Sequence, residues 1–299
     1  MASITVDPRV KVRSDDRSSR GLWRDALSRL RHNGPALVGL FFITIFVLSA
    51  VLAPVIAPYG PLEGTLANRL QPPSTQHWMG TDLQGRDEFS RVLYGARVSL
   101  LVGVGAVMMA LTIGGLIGAA AGAMGGKVDN ALMRVTDVLL AIPGILLAIA
   151  IVAWLDRGLP QITLAIAVTY APIFARILRG TLLANREVDY VSASRSLGAG
   201  RLRVLWRHML PNSLTPLIVT ATLVLATAVI DIAGLGFLGL GPPDPRTPEW
   251  GTMLSDSTQF LRVAIWLIFF PGLAIVITAI GFNLLGDGLR ESLDPRLKR

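Results

Sequence analysis

Long stretches without charged side chains recur along the chain, and six of them are long enough to cross a bilayer. A helix needs about 20 residues to span the hydrocarbon core. The charge-free stretches cover residues 35–56, 98–124, 138–155, 158–175, 209–230 and 263–286. The third and fourth are short, so their helices are expected to extend into flanking polar residues. The pattern predicts an all-α integral membrane protein with six transmembrane helices.

Two segments beside these stretches have the apolar periodicity of amphipathic helices. From Phe89 onward, apolar residues recur at 92, 93, 96 and 100, which predicts a helix that runs directly into the second span. We expect Arg86, Arg91 and Arg97 to lie on its solvated side. Within the N-terminal tail, apolar residues at 22, 23, 27 and 30 beside arginines predict a cytoplasmic helix on the membrane surface.

Glycine recurs every four residues within the second span, at Gly114, Gly118 and Gly122. This spacing places the three glycines on one helix face, where small residues let another helix backbone approach closely. We expect this face to pack tightly inside the bundle. The pattern is common among membrane helices and points to no particular function.

The distribution of basic residues predicts the orientation of the spans. The chain has 299 residues, is 52% hydrophobic and only 16% charged, and carries a net charge of +8. Of its 28 Lys and Arg residues, 21 fall in segments on one side of the six-span model and 7 on the other. Positive charge favours the cytoplasmic side, so both termini are expected to lie inside. This placement favours membrane orientation over nucleic-acid binding.

The sequence lacks the motifs of several enzyme classes. It has no cysteine, and its three histidines are scattered, which argues against a metal or redox site. No GxxxxGK[ST] phosphate loop, GxSxG elbow or zinc-binding HExxH motif occurs. The glycine-rich segment 234–241 follows a span rather than a strand, so it is interpreted as a turn. We therefore expect no catalytic residue, no metal and no cofactor bound by this chain.

Asp231 is the one acidic residue deep within an otherwise uncharged region, between residues 209 and 240. A carboxylate at such depth is costly and usually faces a cavity or a partner helix. Asp231 is therefore a candidate for the translocation pathway or for contact with a partner subunit. A hydrogen-bonded packing residue is the alternative.

The most organised polar segment is the loop DYVSASRSLGAGRLRVLWRHMLPN, residues 189–212, between the fourth and fifth spans. Tyr190, Ala193 and Leu197 predict a short helix with one apolar side, and Gly198 supplies a left-handed stop. A second helix follows, with Leu202, Leu205 and Met209 on one side, and Pro211 is expected to end it. A basic helix–turn–helix on the cytoplasmic side suits a protein partner better than a lipid surface.

This loop resembles the signature loop of permeases from binding-protein-dependent ABC importers. In that motif a Glu-Ala-Ala triplet precedes a glycine, and a Leu-Pro pair follows later in the loop. Here the positions are Ser192-Ala193-Ser194, Gly198 and Leu210-Pro211, so serine replaces both the glutamate and the second alanine. The segments beginning HWMGTDLQGRDEFS and PPDPRTPEWGTMLS are similar to the C-type permease of dipeptide and oligopeptide importers. The residues that the resemblance assigns to an ATPase-coupling loop are Tyr190, Ser192, Ala193, Ser194, Leu197, Gly198, Arg201, Leu210 and Pro211.

The resemblance implies a membrane subunit that works only within a larger assembly. The implied partners are a B-type permease in a heterodimer, two ABC ATPase subunits that bind ATP and Mg²⁺, and an extracytoplasmic substrate-binding protein. The implied place is the bacterial cytoplasmic (inner) membrane, and the implied substrates are dipeptides or oligopeptides. Importers of nickel, glutathione or other small solutes share much of the pattern. A secondary transporter is the remaining alternative, although such proteins usually show inverted repeats or several midplane polar residues.

Four regions follow from these interpretations. Residues 1–34 form a cytoplasmic tail with the surface helix, and 35–97 contain the first span and an outer segment. Residues 98–288 form a five-helix permease core that includes the coupling loop 186–212. Residues 289–299 form a cytoplasmic tail.

The predicted orientation can be tested because the chain has no native cysteine. A Ser74→Cys variant should react with a membrane-impermeant thiol reagent in intact cells, since Ser74 lies in the predicted outer segment. A Ser196→Cys variant should react only after permeabilisation. Strong labelling of Ser196→Cys in intact cells would contradict the orientation.

Overall fold

The computed structural model describes residues 28–244 and 246–293, without the side chain of Arg201. Most of the predicted surface helix and the tail before it, residues 1–27, and the last six residues lie outside the described ranges. Residues 28–30, at the end of that prediction, are helical. The helices are α1 (Gly34–Ile56), α2 (Glu88–Met124), α3 (Gly126–Ala141), α4 (Gly144–Leu155), α5 (Leu159–Arg186), α6 (Asp189–Ser196), α7 (Arg201–Val204), α8 (Leu210–Leu235), α9 (Trp250–Ser257) and α10 (Trp266–Leu293).

Five of these helical segments are long and apolar enough to cross a membrane. They are α1, α2, α5, the continuous helix Leu202–Leu240 that contains α8, and α10. Together with the bent pair α3–α4 they give up to six spans, which agrees with the predicted number. The predicted amphipathic helix and the second span form one helix of 37 residues, begun by Asp87, whose Oδ2 accepts the N–H of Ser90 at 2.8 Å.

The third predicted span differs from a straight helix. The predicted span 138–155 contains α4 but only the end of α3, and these two helices meet at an angle of 94° at Ile142 and Pro143. Helix α3 begins directly after α2, because positive φ at Gly125 and Gly126 completes the turn between them within two residues. Proline has no N–H and clashes with the preceding helical turn, so α3 ends and α4 begins in a new direction.

Helices α2 and α5 make the most extensive helix–helix contact among the described residues. Gly114, Gly118 and Gly122 are all buried in this contact. A Cβ atom at Gly114 would overlap the carbonyl oxygen of Ala171, and one at Gly118 would lie 2.5 Å from the carbonyl oxygen of Ala175. The absence of side chains on this face therefore allows the two backbones to touch.

Ion pairs attach α3 to the same helix. Arg179 Nε donates to Asp129 Oδ1, and Arg179 Nη2 donates to Asp129 Oδ2 at 2.8 Å. Arg176 Nη2 donates to Asp137 Oδ1 at 2.7 Å. The bidentate geometry favours a fixed position of α3 against α5.

The outer segment before α2 folds back onto that helix, and two of the three arginines expected on the solvated side are largely buried. The side chain of Arg86 is 12% exposed, and its Nε donates to Asp82 Oδ2 at 2.6 Å. Arg91 was expected to face solvent, but it is only 5% exposed. Its Nε lies 3.5 Å from Asp82 Oδ2, and its Nη1 donates to the carbonyl oxygen of Pro61 at 3.3 Å. Partners from the preceding loop compensate for the desolvation of the guanidinium, a contact that helical periodicity does not reveal.

The packing of α2 on α5 predicts different outcomes for two neighbouring glycines. Gly114→Val should destabilise the protein by about 1–3 kcal/mol, as expected for an overpacked interior. Gly115→Val is the matched control, because nothing lies within 4 Å of its Cβ position. Thermal melting of the purified proteins in detergent measures the difference. Equal melting temperatures for the two variants would show that the glycine face does not require the close approach.

Candidate coupling loop and intramembrane cavity

The loop between α5 and α8 is a helix–turn–helix, as the sequence predicts. Helix α6 ends at Ser196, and Gly198 follows with a φ of 84°. This left-handed conformation is strained for residues with a side chain. The N–H of Ala199 donates to the Ser194 carbonyl oxygen at 3.1 Å, and the N–H of Gly198 donates to that of Arg195 at 2.9 Å. These bonds close the turn and start α7 at Arg201.

The apolar side that packs against the bundle differs from the predicted one. Val191 is fully buried and Val204 is 1% exposed, and both belong to the main hydrophobic core. Tyr190 is 42% exposed and Leu197 is 89% exposed. Leu197 lies after the last helical residue, so it does not continue the stripe that its spacing suggests. The face of α6 that packs against the bundle therefore carries Val191, whereas the predicted face carries Tyr190, Ala193 and Leu197.

The second half of the loop also differs from the prediction at its end. Leu205 and Met209 are buried, as expected, but Leu202 is exposed. Pro211 does not end the helix, because a π-helical turn at Leu205–Met209 leads directly into α8. Proline is compatible with the first turn of a helix, where its missing N–H needs no partner.

An exposed surface remains on the side of the loop that faces away from the bundle. Leu197, Leu202 and Trp206 are 89%, 71% and 66% exposed. We call these three residues the apolar surface of the loop. The exposed residues Arg195, Arg203 and Arg207 flank it. The helical periodicity of the loop does not indicate Trp206. A tryptophan within a basic loop is nevertheless a signal, because aromatic residues are enriched at protein interfaces.

Of the residues assigned to the loop by resemblance, Ser192, Ala193, Gly198 and Pro211 are exposed, whereas Ser194 and Leu210 are half-buried. Asn212 Nδ2 donates to the Tyr190 hydroxyl oxygen at 2.8 Å and thereby joins α6 to the start of α8. Asn185 Nδ2 donates to Ser213 Oγ at 3.0 Å and joins the end of α5 to α8. The loop is therefore attached to the ends of two long helices.

Asp231 lies in α8, beside a cavity of about 600 Å³ at the break between α3 and α4. The Tyr170 hydroxyl donates to Asp231 Oδ2 at 2.6 Å. The rest of the wall is apolar except for Thr169, and it consists of residues 139–145 and Ile173. The charge pattern of the sequence indicates Asp231 but not Tyr170, which lies 61 residues away along the chain.

Glu249 begins α9 on the other side of the molecule, outside the membrane-spanning helices. Its Oε1 accepts the N–H of Gly251 and its Oε2 that of Thr252, each at 2.9 Å. Burial raises the pKa of this carboxyl group to about 7, and the two backbone donors oppose the shift. The residue fixes the connection between α8 and α9.

An all-helical membrane bundle with a basic helix–turn–helix between two spans, in a sequence without a nucleotide-binding loop, is typical of the membrane-spanning subunit of an ATP-driven importer. The family described as "Binding-protein-dependent transport system inner membrane component" matches residues 114–299. A second family, "N-terminal TM domain of oligopeptide transport permease C", matches residues 21–73. The chain belongs to the binding-protein-dependent transport permeases, as the loop resemblance implies.

Relatives match almost the whole chain. The dipeptide transport system permease protein DppC of Alkalihalophilus pseudofirmus is 46% identical over 99% of this chain and 97% of its own. The oligopeptide transport system permease protein OppC of Bacillus subtilis is 42% identical over 95% and 92%. The glutathione transport system permease protein GsiD of Pectobacterium atrosepticum is 40% identical over 95% and 94%.

A solved structure shares the fold. It is the inward-facing MetNI methionine ABC transporter, with a TM-score of 0.56 and 21% sequence identity. The match covers 68% of this chain and 96% of the other. The helix arrangement is therefore that of an ABC importer permease.

Proposed function

We propose that this chain is the C-type permease subunit of an ATP-driven importer of dipeptides or oligopeptides in the bacterial cytoplasmic membrane. The proposed partners are a B-type permease, two ABC ATPases that bind ATP and Mg²⁺, and an extracytoplasmic binding protein. The names of the most similar relatives support a peptide, and the glutathione permease keeps a second substrate within the same class. The chain itself is proposed to carry out no catalytic chemistry.

The observation that carries the proposal is the exposed apolar surface of the loop on a rigid base. Leu197, Leu202 and Trp206 present apolar area to the surroundings, whereas Val191 and Val204 anchor the same segment in the core. A large exposed apolar surface rimmed by charge is a mark of a protein interface. An ATPase that binds this surface can displace α5 and α8, because the loop is joined to both helices.

Alternating access gives this contact a function. Closure of the ATPases would displace the loop, and the bundle would reorient so that peptide passes along the interface with the second permease. The break between α3 and α4 and the cavity beside it lie within the proposed moving part. An ATPase-independent transporter would have no use for an exposed docking loop of this kind.

Gly198→Val tests the coupling role. A side chain in the left-handed conformation costs about 1–2 kcal/mol, and it would distort the turn that presents the apolar surface. We expect the variant to assemble in the membrane but to lose most of the ATPase activity that loaded binding protein stimulates in the reconstituted complex. Gly200→Val is the control, because Gly200 has an ordinary φ and open space around its Cβ position.

The same reconstituted complex tests the proposed substrate. The wild-type complex should accumulate a labelled dipeptide in an ATP-dependent manner, and the Gly198→Val complex should not. Normal stimulation and uptake in Gly198→Val would remove the coupling role from the loop. Uptake of nickel or glutathione in place of peptides would move the chain to another substrate within the same importer class.

The cavity beside Asp231 is proposed to belong to the translocation pathway. A carboxylate in a membrane helix is costly unless it faces polar surroundings, and Tyr170 supplies only one hydrogen bond. Asp231 also lines a cavity of about 600 Å³, which is large enough for a small solute. If Asp231 only served packing, a second hydrogen-bond donor to its carboxylate would be expected within the bundle.

Asp231→Asn is expected to lower peptide uptake several-fold without reducing the amount of assembled complex, because the substitution removes the charge but keeps the size. Tyr170→Phe is the companion variant, since it removes the hydroxyl that orients the carboxylate. Uptake in proteoliposomes and complex recovery after purification measure the two effects separately. Unchanged uptake in both variants would assign the pair to packing.

A further inference from the structure

The outer segment and α9 enclose a polar cavity that is separate from the loop and from Asp231. Its volume is about 200 Å³, and its lining includes the acids Asp82, Glu88 and Asp256 and the bases Arg86 and Arg91. We infer that this cavity binds the N–H-bearing end of a small organic cation, a primary ammonium or a guanidinium group. The inference concerns the outer part of the chain, and only its docked-protein source rests on the proposed function.

Most of the charged groups around the cavity already have partners. Asp82 Oδ1 accepts the N–H groups of Gln84 and Arg86 at 2.8 and 2.9 Å, and its Oδ2 accepts Arg86 Nε at 2.6 Å. Next to Glu88, Asp87 is paired with His77 Nδ1 at 2.9 Å. These groups form a built framework around the cavity rather than a loose cluster of charges.

Glu88 is the exception. It is 2% exposed, and among the described residues its Oε1 is the one fully buried side-chain oxygen or nitrogen without a hydrogen-bond partner. A buried carboxyl oxygen that lacks a donor is costly, and such an atom in a native structure calls for a ligand or a bound solvent molecule. Burial raises the pKa of Glu88 to about 8, and a cation bound beside it would favour the ionised form. Glu88 lines the cavity, so a group bound there can supply the missing donor.

The charge and shape of the wall favour an organic cation. Three carboxyl groups face two guanidinium groups, and the exposed Asp256 leaves acidic character on the accessible part of the wall. Met253, Phe260 and Leu267 provide apolar surface for an alkyl stem. In the described part of the chain no three acids or histidines are arranged to hold a metal ion, so N–H donors suit Glu88 better than a bare cation.

Two sources can supply this chemistry: the ammonium group of a free solute, or a basic side chain of a protein docked on the outer face. Both would place a nitrogen donor next to Glu88 Oε1. Bound water is the competing occupant, because a cavity of this size also holds several water molecules. The experiment must therefore separate a cation from water and one source from the other.

The reporter is Ser257→Cys in the full chain within its complex, because Ser257 lines the cavity and the chain has no native cysteine. The rates of reaction with aminoethyl methanethiosulfonate, a cation, and methyl methanethiosulfonate, a neutral reagent, are compared. Glu88→Gln should lower the ratio of cationic to neutral rates about tenfold at a pH above the pKa of about 8 that burial gives Glu88, because one opposite charge is then lost in a partly screened site. Ser74→Cys is the control, and its ratio should not depend on Glu88.

Asp256→Asn provides a second variant that does not alter the buried wall, and it should lower the ratio by a smaller factor. If neither variant changes the ratio, the inference is wrong. Protection of Ser257→Cys is then measured with butylammonium and methylguanidinium, and with tetramethylammonium, which has no N–H donor. Protection by the first two alone supports a free-solute site.

The last comparison adds the loaded binding protein. Protection by this protein but not by the small cations, with loss of protection in Glu88→Gln, supports a docked basic side chain. Equal protection by tetramethylammonium, or protection by calcium ions alone, would overturn the requirement for N–H donors. Absence of protection by every probe would leave water as the only occupant and also overturn the inference.

Discussion

The direct contact between the backbones of α2 and α5 is the constraint on which the bundle depends. In a bilayer, apolar side chains gain little by leaving lipid, so helices associate through close packing and polar contacts. Gly114 and Gly118 bring α2 against the carbonyl groups of Ala171 and Ala175, and the Arg179–Asp129 pair then attaches α3 to the same helix. Helices α2, α3 and α5 thus form one unit, and the contact between α2 and α5 at Gly114 and Gly118 leaves no room for extra atoms.

This unit explains how a short polar loop can act on a large apolar bundle. Leu178 and Leu182 of α5 share one hydrophobic core with Val191 and Val204 of the loop. A force on the exposed surface of the loop therefore meets closely packed side chains, which resist compression. Hydrogen bonds from Asn185 and Asn212 add connections to α8, the helix that carries Asp231. The proposed coupling needs no other route between the docking surface and the cavity.

The outer end of α2 follows a different rule, because charged groups dominate there. Asp82 holds Arg86 and Arg91, and Asp87 both begins the helix and pairs with His77. Such a network fixes the loop before α2, since each buried charge is costly without its partner. Glu88 departs from this complete pairing, and the departure lies at a cavity rather than in solid packing. Glu88 thus combines a buried oxygen that is unpaired among the described residues with a place in the wall of a cavity. This combination is expected of a ligand-binding residue rather than of a residue that only pairs with a neighbouring charge.

The sequence by itself determined the number of apolar spans, the approximate bounds of all but the third, the glycine face and the turn at Gly198. It also determined the protein family that the loop indicates. These features depend on the order of residues along a few turns of chain, where charge-free length and helical spacing act locally. The tertiary structure decided the burial of Arg91, the exposure of Leu197 and Trp206, and the contact of Tyr170 with Asp231. It also decided the sharp bend at Pro143, because a proline permits a break but neighbouring helices set its angle. Each of these outcomes depends on groups distant in sequence, and helical periodicity contains no information about which of them meet.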